Sequence, residues 1–427
     1  MKTVIKRTWG QMKQQPLLTV LSMLGTSLAV CLIMVEVMLR QVQTVPFAPE
    51  SNRDRLLHVK WMSVTESRSG ADDSSNGPMS LKTAKECFFA LKSAEAVSAY
   101  NRFFDTMQAS VPGQTPVGVD VKQVDNNFFR IFNYAFLDGK PISAAQSKAG
   151  QAVAVVSSSV ARALYGTDNV TGKEVELNYV PYRICGVVRD VNPLAETAYA
   201  QIWIPYNSTE IVNNLWNNGV MGLFSVVILA HNSKDFDAIR LECEKLRAVY
   251  NPSIRPDSIF YRGQPDTQEA EVFHFSANNE SSVKQENRSM FITLLVLLII
   301  PAVNLSSMTQ SRLRRRIAEI GVRRAFGATR TEIMRQVVME NLMLTFAGGL
   351  IGLVFCWIVS YVGSAELFTN MSTSMLNVAP AIDPWVLFNP RTFAWVLLLC
   401  FILNLLSSVF PAWKASKTAI VNALGGK

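Results

Sequence analysis

TQSRLRRRIAEIGVRRAFGATRTEIMRQVVME occupies residues 309–340, between two long apolar runs. It holds eight arginines, at 312, 314, 315, 316, 323, 324, 330 and 335, against three acids, Glu319, Glu332 and Glu340. A short arginine-rich loop between two membrane spans stays on the cytoplasmic side, so this stretch sets the orientation of the chain. It also has more internal pattern than an orientation signal requires. Helical spacing runs through Arg323 and Arg324 and stops at Gly327. Ala328 and Thr329 lead into a second helix, with Thr331 as its expected cap. Two short helices about a glycine elbow, on the cytoplasmic membrane face, give another protein a surface to push against.

Working outward, four runs with almost no charge are long enough to cross a bilayer, which takes about 20 helical residues. They are 17–39, 290–308, 341–365 and 392–413. Both chain ends, 1–16 and 414–427, are basic and free of acids. With the loop they hold fifteen basic residues against three acids, so the rest of the chain is net negative although the total is +8. Four spans put all three basic segments on one side, as the positive-inside rule asks. The positive charge therefore reads as membrane orientation. No basic patch interleaved with aromatics is present, which argues against nucleic acid as a partner. The first run exceeds the apolar core of a signal peptide and lacks a clean small-x-small site after it, so an uncleaved signal-anchor is expected. Residues 1–16, with Val4, Ile5, Trp9 and Met12, read as an amphipathic cytoplasmic segment.

Residues 40–289, between the first two runs, far exceed the needs of a loop, and the orientation places them outside. Strands are expected at 56–62, 117–124, 153–156, 174–178, 183–188, 201–205 and 223–230. Helices are expected at 80–100, 158–165 and 235–250, with a turn near Pro181. This alternation predicts two mixed lobes. Residues 66–78 read as a flexible loop in which Asp72 and Asp73 form an exposed acidic turn. Residues 276–289 read as a polar helical stalk that prolongs the second span. The expected fold class is thus an integral membrane protein with four transmembrane helices. A large mixed α/β extracytoplasmic domain is inserted between the first and second spans. Residues 309–340 form a cytoplasmic coupling segment, 366–391 a short external loop and 414–427 a cytoplasmic tail.

The chemistry expected of an enzyme is missing. There is no GxxxxGK[ST], HExxH or GxSxG, and His58, His231 and His274 are scattered. No catalytic, cofactor-binding or metal-binding residue is expected. Six cysteines give no metal spacing: Cys31, Cys356 and Cys400 fall in the apolar runs and Cys87, Cys185 and Cys243 outside them. Three buried thiols is the favoured reading of the outer set, and one disulfide the other. Glu36 is the only charge inside the runs and sits near an end, which disfavours a proton-coupled carrier. Gly348 and Gly352 form a GxxxG in the third run, beside Gly349, and Gly25 and Ala29 a small-xxx-small pair in the first. Small residues let helix backbones approach in lipid, within one chain or across a dimer.

The segment RRRIAEIGVRRAFGATRTEIMRQVVMEN (314–341) resembles the loop after the second span in the MacB/FtsX-like ABC permease family. Glu319, Ile320, Gly321, Arg323, Ala325, Gly327 and Ala328 carry its RxxEIGxRxAxGA pattern. FPAWKAS (410–416) followed by Ala423-Leu424 is similar to the family's closing PAxxAS…AL, with Ile420-Val421 where Asp-Pro is frequent. DNNFFRIFNYAFLDGKPIS (125–143), VAVVSSSVARALYG (153–166), GKEVELN (172–178), YRICGVVRD (182–190) and IWIPY (202–206) resemble its external domain.

The resemblance implies a permease subunit of the bacterial cytoplasmic (inner) membrane, multi-pass, with both termini cytoplasmic. It implies a dimer with a second copy or a paralogue, and a separate ABC ATPase that uses ATP and Mg while this chain binds no cofactor. Glu319, Ile320, Gly321, Arg323, Arg324, Gly327 and Ala328 become ATPase-coupling residues, and 311–335 the docking segment. Residues 40–52 and 276–289 become stalks, and 53–275 the working external domain. Efflux of drugs, peptides or other amphipathic compounds is the first function implied, with a periplasmic adaptor and an outer-membrane channel as further partners. The alternatives are lipoprotein extraction and FtsX-type regulation of an external cell-wall hydrolase.

Overall fold

A computed structural model describes residues 16–65, 74–315, 317–362 and 390–416. The amphipathic segment 1–15, the Asp72-Asp73 turn, Arg316, most of the external loop 366–391 and the tail from 417, with Ile420-Val421, lie outside the described residues. The described residues fall into two compact units: 41–286, and 16–40 with 287–362 and 390–416.

In the first unit the strand Val153–Ser157 shows why the apolar runs are unbroken. Val153 and Val155 join one core cluster, and Ala154 and Val156 another, because successive strand residues point to opposite faces. The strand pairs in parallel with Val180–Val188 and antiparallel with Ile202–Pro205. Ile202–Pro205 runs parallel to Val117–Val124, which pairs antiparallel with Asp105–Ser110. Asp105–Ser110 meets Glu174–Leu177, and that strand returns to Val180–Val188. The pairings close a six-stranded ring, so every one of these strands has a neighbour on both sides. One face of the ring packs Val121, Val156, Ile184 and Ile204 against Val160 and Leu164 of the helix Ser158–Tyr165.

From Val117–Val124 the sheet continues antiparallel through Ala94–Asn101, Phe224–Ala230, Leu56–Val59 and Asp266–Thr267. The helices Leu81–Phe88 and Phe236–Tyr250 cover this half, burying Phe88, Ile239 and Cys243 with Val226 and Ile228. Met62–Thr65, Ser74–Gly77 and Ser258–Phe260 form a separate three-stranded sheet. Cys87, Cys185 and Cys243 are free thiols.

Several expectations are corrected. The expected helix 80–100 is helical only at Leu81–Phe88, and Ala94–Asn101 is a strand. Ala84, Cys87, Phe88 and Leu91 carry a true helical spacing, which Ala94 and Val97 continue by coincidence. A strand buried on both faces has no period of its own to contradict it. The expected strand 56–62 breaks into two strands of different sheets. The turn expected near Pro181 falls at Asn178-Tyr179, where φ is 48° and 70°, the left-handed pair that a tight hairpin requires. The two expected lobes share one continuous sheet.

The second unit is helical. Its long helices are Pro16–Thr44, Val283–Arg315, Arg330–Val362 and Pro390–Ser416, with the short Ile317–Ala325 between the second and third. Among the described residues, two of them hold stretches long and apolar enough to cross a membrane, Thr19–Thr44 and Thr331–Ser360. Val283–Arg315 begins inside the polar segment 276–289, of which 276–282 is not helical.

Candidate functional site

The arginine-rich segment folds as a helical hairpin with a left-handed elbow. Ile317–Ala325 ends where Gly327 takes φ +95°. Across this elbow the Ala328 N–H donates to the Arg323 carbonyl at 3.0 Å, the six-to-one bond of a Schellman cap. Among the described residues, and apart from Gly327 and its two chain neighbours, no atom lies within 4 Å of where a Cβ on Gly327 would stand, so the backbone angle requires glycine here. The next helix opens on a capping box. Thr329 Oγ1 accepts from the Glu332 N–H at 3.2 Å, and Glu332 Oε2 accepts from the Thr329 N–H at 3.0 Å. The cap is therefore Thr329 and not Thr331; the T-x-x-E spacing of 329–332 carried that signal.

The hairpin's side chains sort onto two faces. Ile320 and Met334 pack on the buried Val337, and Gly321 is buried, so these residues fasten the short helix to the long one. Arg323 links the two arms: Nη2 pairs with Glu319 one turn back, and Nη1 donates to Gln336 Oε1 at 2.9 Å. The ion pair keeps 35% of Arg323 and 43% of Glu319 exposed, a setting in which such pairs add about 0.3–0.5 kcal/mol. On the outer face Val322 is exposed, and Phe326 is 88% exposed beside the elbow. Sequence reasoning passed over Phe326. Its position was the available signal: a large apolar residue next to a left-handed glycine has no helix face left to cover it. Of the expected coupling residues, Ile320 and Gly321 thus hold the hairpin, Glu319 and Arg323 link it, and Gly327 and Ala328 turn it. Arg324 lies in the short helix, and its side chain is outside the described residues.

The glycines of Arg330–Val362 mark close helix contacts within the chain. A Cβ on Gly352 would stand 2.5 Å from the Ser27 carbonyl oxygen, and one on Gly348 3.0 Å from Thr26 Cβ. One on Gly349 would stand 2.4 Å from Leu397 Cδ1. The atoms of the first helix nearest to this face belong to Met23, Thr26, Ser27 and Val30, and Ala29, expected to pack there, is buried. Thr26 and Ser27 return their hydroxyls to carbonyls of their own helix, Ser22 and Leu24, each at 2.9 Å, so a small polar residue packs there without an unpaired donor. Deeper along the same contact Cys356 Sγ meets Met38 Sδ at 3.5 Å.

Among the described residues no group of histidine, cysteine, aspartate or glutamate could hold a metal ion.

A family model described as the MacB-like periplasmic core domain matches residues 19–246, and one described as the FtsX-like permease C-terminal matches 290–420. The chain is similar to the macrolide export ATP-binding/permease protein MacB of Pasteurella multocida (strain Pm70). The two are 25% identical over 254 residues, 58% of this chain and 36% of that protein. It is also similar to the pyoverdine export ATP-binding/permease protein PvdT of Pseudomonas fluorescens (strain Pf0-1), 25% identical over 267 residues, 60% of this chain and 37% of that protein. The chain thus spans little more than a third of the curated relatives it matches. Among solved structures, the periplasmic region of MacB from Actinobacillus actinomycetemcomitans aligns at 16% identity with a TM-score of 0.35, covering 52% of this chain and 95% of that one. The extracellular domain of the noncanonic ABC-type transporter YknZ from Gram-positive bacteria aligns at 12% identity with a TM-score of 0.34, covering 48% of this chain and 99% of that one.

Proposed function

The chain belongs to the MacB/FtsX-like family of ABC permeases, and we propose that it is the transmembrane subunit of an export system driven by a separate cytoplasmic ATPase. In this reading 17–39, 290–308, 341–365 and 392–413 are spans, and 40–289 and 366–391 lie outside. Residues 1–16, 309–340 and 414–427 lie in the cytoplasm, as their arginines and lysines favour. The hairpin is the part the ATPase moves. A rigid two-state element transmits motion only if its parts keep their mutual geometry; the Arg323 link to Gln336 and the Ile320–Val337 contact supply that rigidity.

The observation that carries the reading is the outer face, where Val322 and Phe326 stand exposed at the tip of an arginine-rich hairpin. An apolar knob in an arginine-rich stretch of sequence suits a shallow apolar groove with an acidic rim. The cargo is an amphipathic compound such as a drug or peptide, in line with the export named for the relatives. Purification of the tagged chain from native membranes tests this function. An ABC ATPase with an adaptor and an outer-membrane channel is the expected set of partners. An ATPase with a lipoprotein carrier, or with a cell-wall hydrolase, would replace export by lipoprotein extraction or by hydrolase regulation.

A further inference from the structure

The unit 41–286 encloses a cavity of about 200 Å³, walled by more charge than a protein interior holds unpaired. Two of its cations are paired with carboxylates. Arg53 Nε donates to Glu50 at 2.7 Å, Nη1 to the Val42 and Val45 carbonyls, and Nη2 to the Leu194 carbonyl. Lys60 Nζ pairs with Glu271 Oε1 at 2.5 Å and donates to the Glu271 carbonyl. Lys122, buried behind the wall, donates to the Glu196 and Thr197 carbonyls at 3.2 and 2.7 Å.

Arg102 differs. Its guanidinium lies over the Trp61 ring, 4.3 Å from the centroid, and its Nε is buried with no hydrogen-bond partner. His274, in the same wall and 2% exposed, holds Nδ1 on Asp266 Oδ2 at 2.6 Å and leaves Nε2 buried and unpartnered. Arg102 and His274, each with a buried polar atom that has no partner among the described residues, thus line one cavity, and one of them is a permanent cation.

We propose that this cavity binds the carboxylate of a small apolar molecule, held by Arg102 and orientated by the few apolar side chains of the wall. A guanidinium that stacks by its face keeps its edge for hydrogen bonding, and that edge presents parallel N–H donors at the spacing of a carboxylate's two oxygens. A carboxylate in the cavity can take the terminal Nη donors of that edge. Trp61, Leu194, Val272 and Phe275 supply an apolar surface for the rest of the ligand. The volume is below the roughly 300–1,000 Å³ of pockets for drug-sized molecules, so a single-ring acid fits and a macrolide does not. The assignment concerns this unit's own residues and stands whether or not the chain exports anything.

Benzoate is the probe, titrated by calorimetry into the full chain in a non-ionic detergent, with detergent alone as the blank. Benzamide, the uncharged isostere, and inorganic phosphate are titrated in parallel. Benzoate is expected to bind saturably and benzamide at least about tenfold more weakly, since only the acid gains charge-assisted bonds. Arg102→Gln is expected to weaken benzoate by about tenfold or more, and Arg102→Lys by less. Glu196→Gln, which removes an exposed carboxylate lining the cavity, is expected to tighten benzoate about twofold. Should Arg102→Gln fail to fold, Arg102→Lys and Glu196→Gln carry the same comparison. Equal affinity for benzamide, benzoate binding indifferent to all three substitutions, or no benzoate binding would overturn the proposal. Binding of phosphate alone would overturn it too, by marking an inorganic-anion site.

Discussion

Glu50–Arg53 and Glu319–Arg323 are the same pair of residue types, placed in two regions of one chain. In the unit 41–286 the pair is 1% and 2% exposed, and its spare atoms are satisfied by the Val42, Val45 and Leu194 carbonyls and the Ala198 N–H. In the hairpin the pair is 43% and 35% exposed. Burial turns the first into a structural knot, because a charge removed from water must be fully paired. Exposure leaves the second with little to give the fold, and a surface to give a partner. The unit 41–286 turns this pair inward, whereas the hairpin presents its own.

The comparison breaks first, and with the largest effect, on the buried side. Glu271→Gln leaves Lys60 without its carboxylate and is expected to destabilise the unit by about 3–5 kcal/mol, read by denaturant unfolding of the full chain in detergent. Burial raises the Glu271 pKa, but the fields of Lys60, His58 and Arg102 and the Lys60 hydrogen bond outweigh it and bring it from 4.5 to about 2. A carboxylate depressed in the folded state stabilises above its unfolded pKa and loses that contribution as pH falls through the folded one. The gap between wild type and Glu271→Gln is therefore expected to be full at pH 7 and to shrink steadily from pH 4.5 towards 2. A gap below about 1 kcal/mol at pH 7 would mean that buried and exposed pairs do not differ as argued.

A second pair of substitutions sharpens the contrast inside the helical unit. Gly352→Leu drives a side chain into the Ser27 carbonyl and is expected to cost about 1–3 kcal/mol. Gly327→Ala meets no neighbour and pays only for a left-handed backbone, about 1–2 kcal/mol. Thermal midpoints in detergent check both. If Gly352→Leu leaves the midpoint unchanged, that helix face meets lipid and not the first helix.

Sequence patterns were legible where one physical rule acted alone. Arginine placement and apolar length marked the long helices, and the glycine at 327 marked the elbow. The sheet was not legible, because Val153–Ser157 and most of Ala94–Asn101 are buried on both faces and carry no period. Asp105–Ser110, largely exposed and polar, offered no apolar run at all. Within the hairpin the motif glycines and Glu319 were read, whereas Phe326 was passed over although its place beside Gly327 was a signal. The cavity was further out of reach. Trp61, Arg102 and His274 are far apart in sequence and meet only when Leu56–Val59 pairs with both Phe224–Ala230 and Asp266–Thr267.

The smallest expected change in stability carries the central claim. Phe326→Ser and Glu319→Ala remove exposed groups and are expected to shift unfolding by no more than about 0.5 kcal/mol, with membrane insertion intact. Gly327→Pro, whose ring demands φ near −65° where the elbow has +95°, is expected to distort the tip. The decisive measurement is ATP hydrolysis by the reconstituted ATPase with each variant. The account predicts that all three bind or stimulate the ATPase poorly, while Phe326→Ser and Glu319→Ala remain as stable as wild type. Stimulation equal to wild type by all three would contradict it, and would reduce residues 309–340 to an orientation signal.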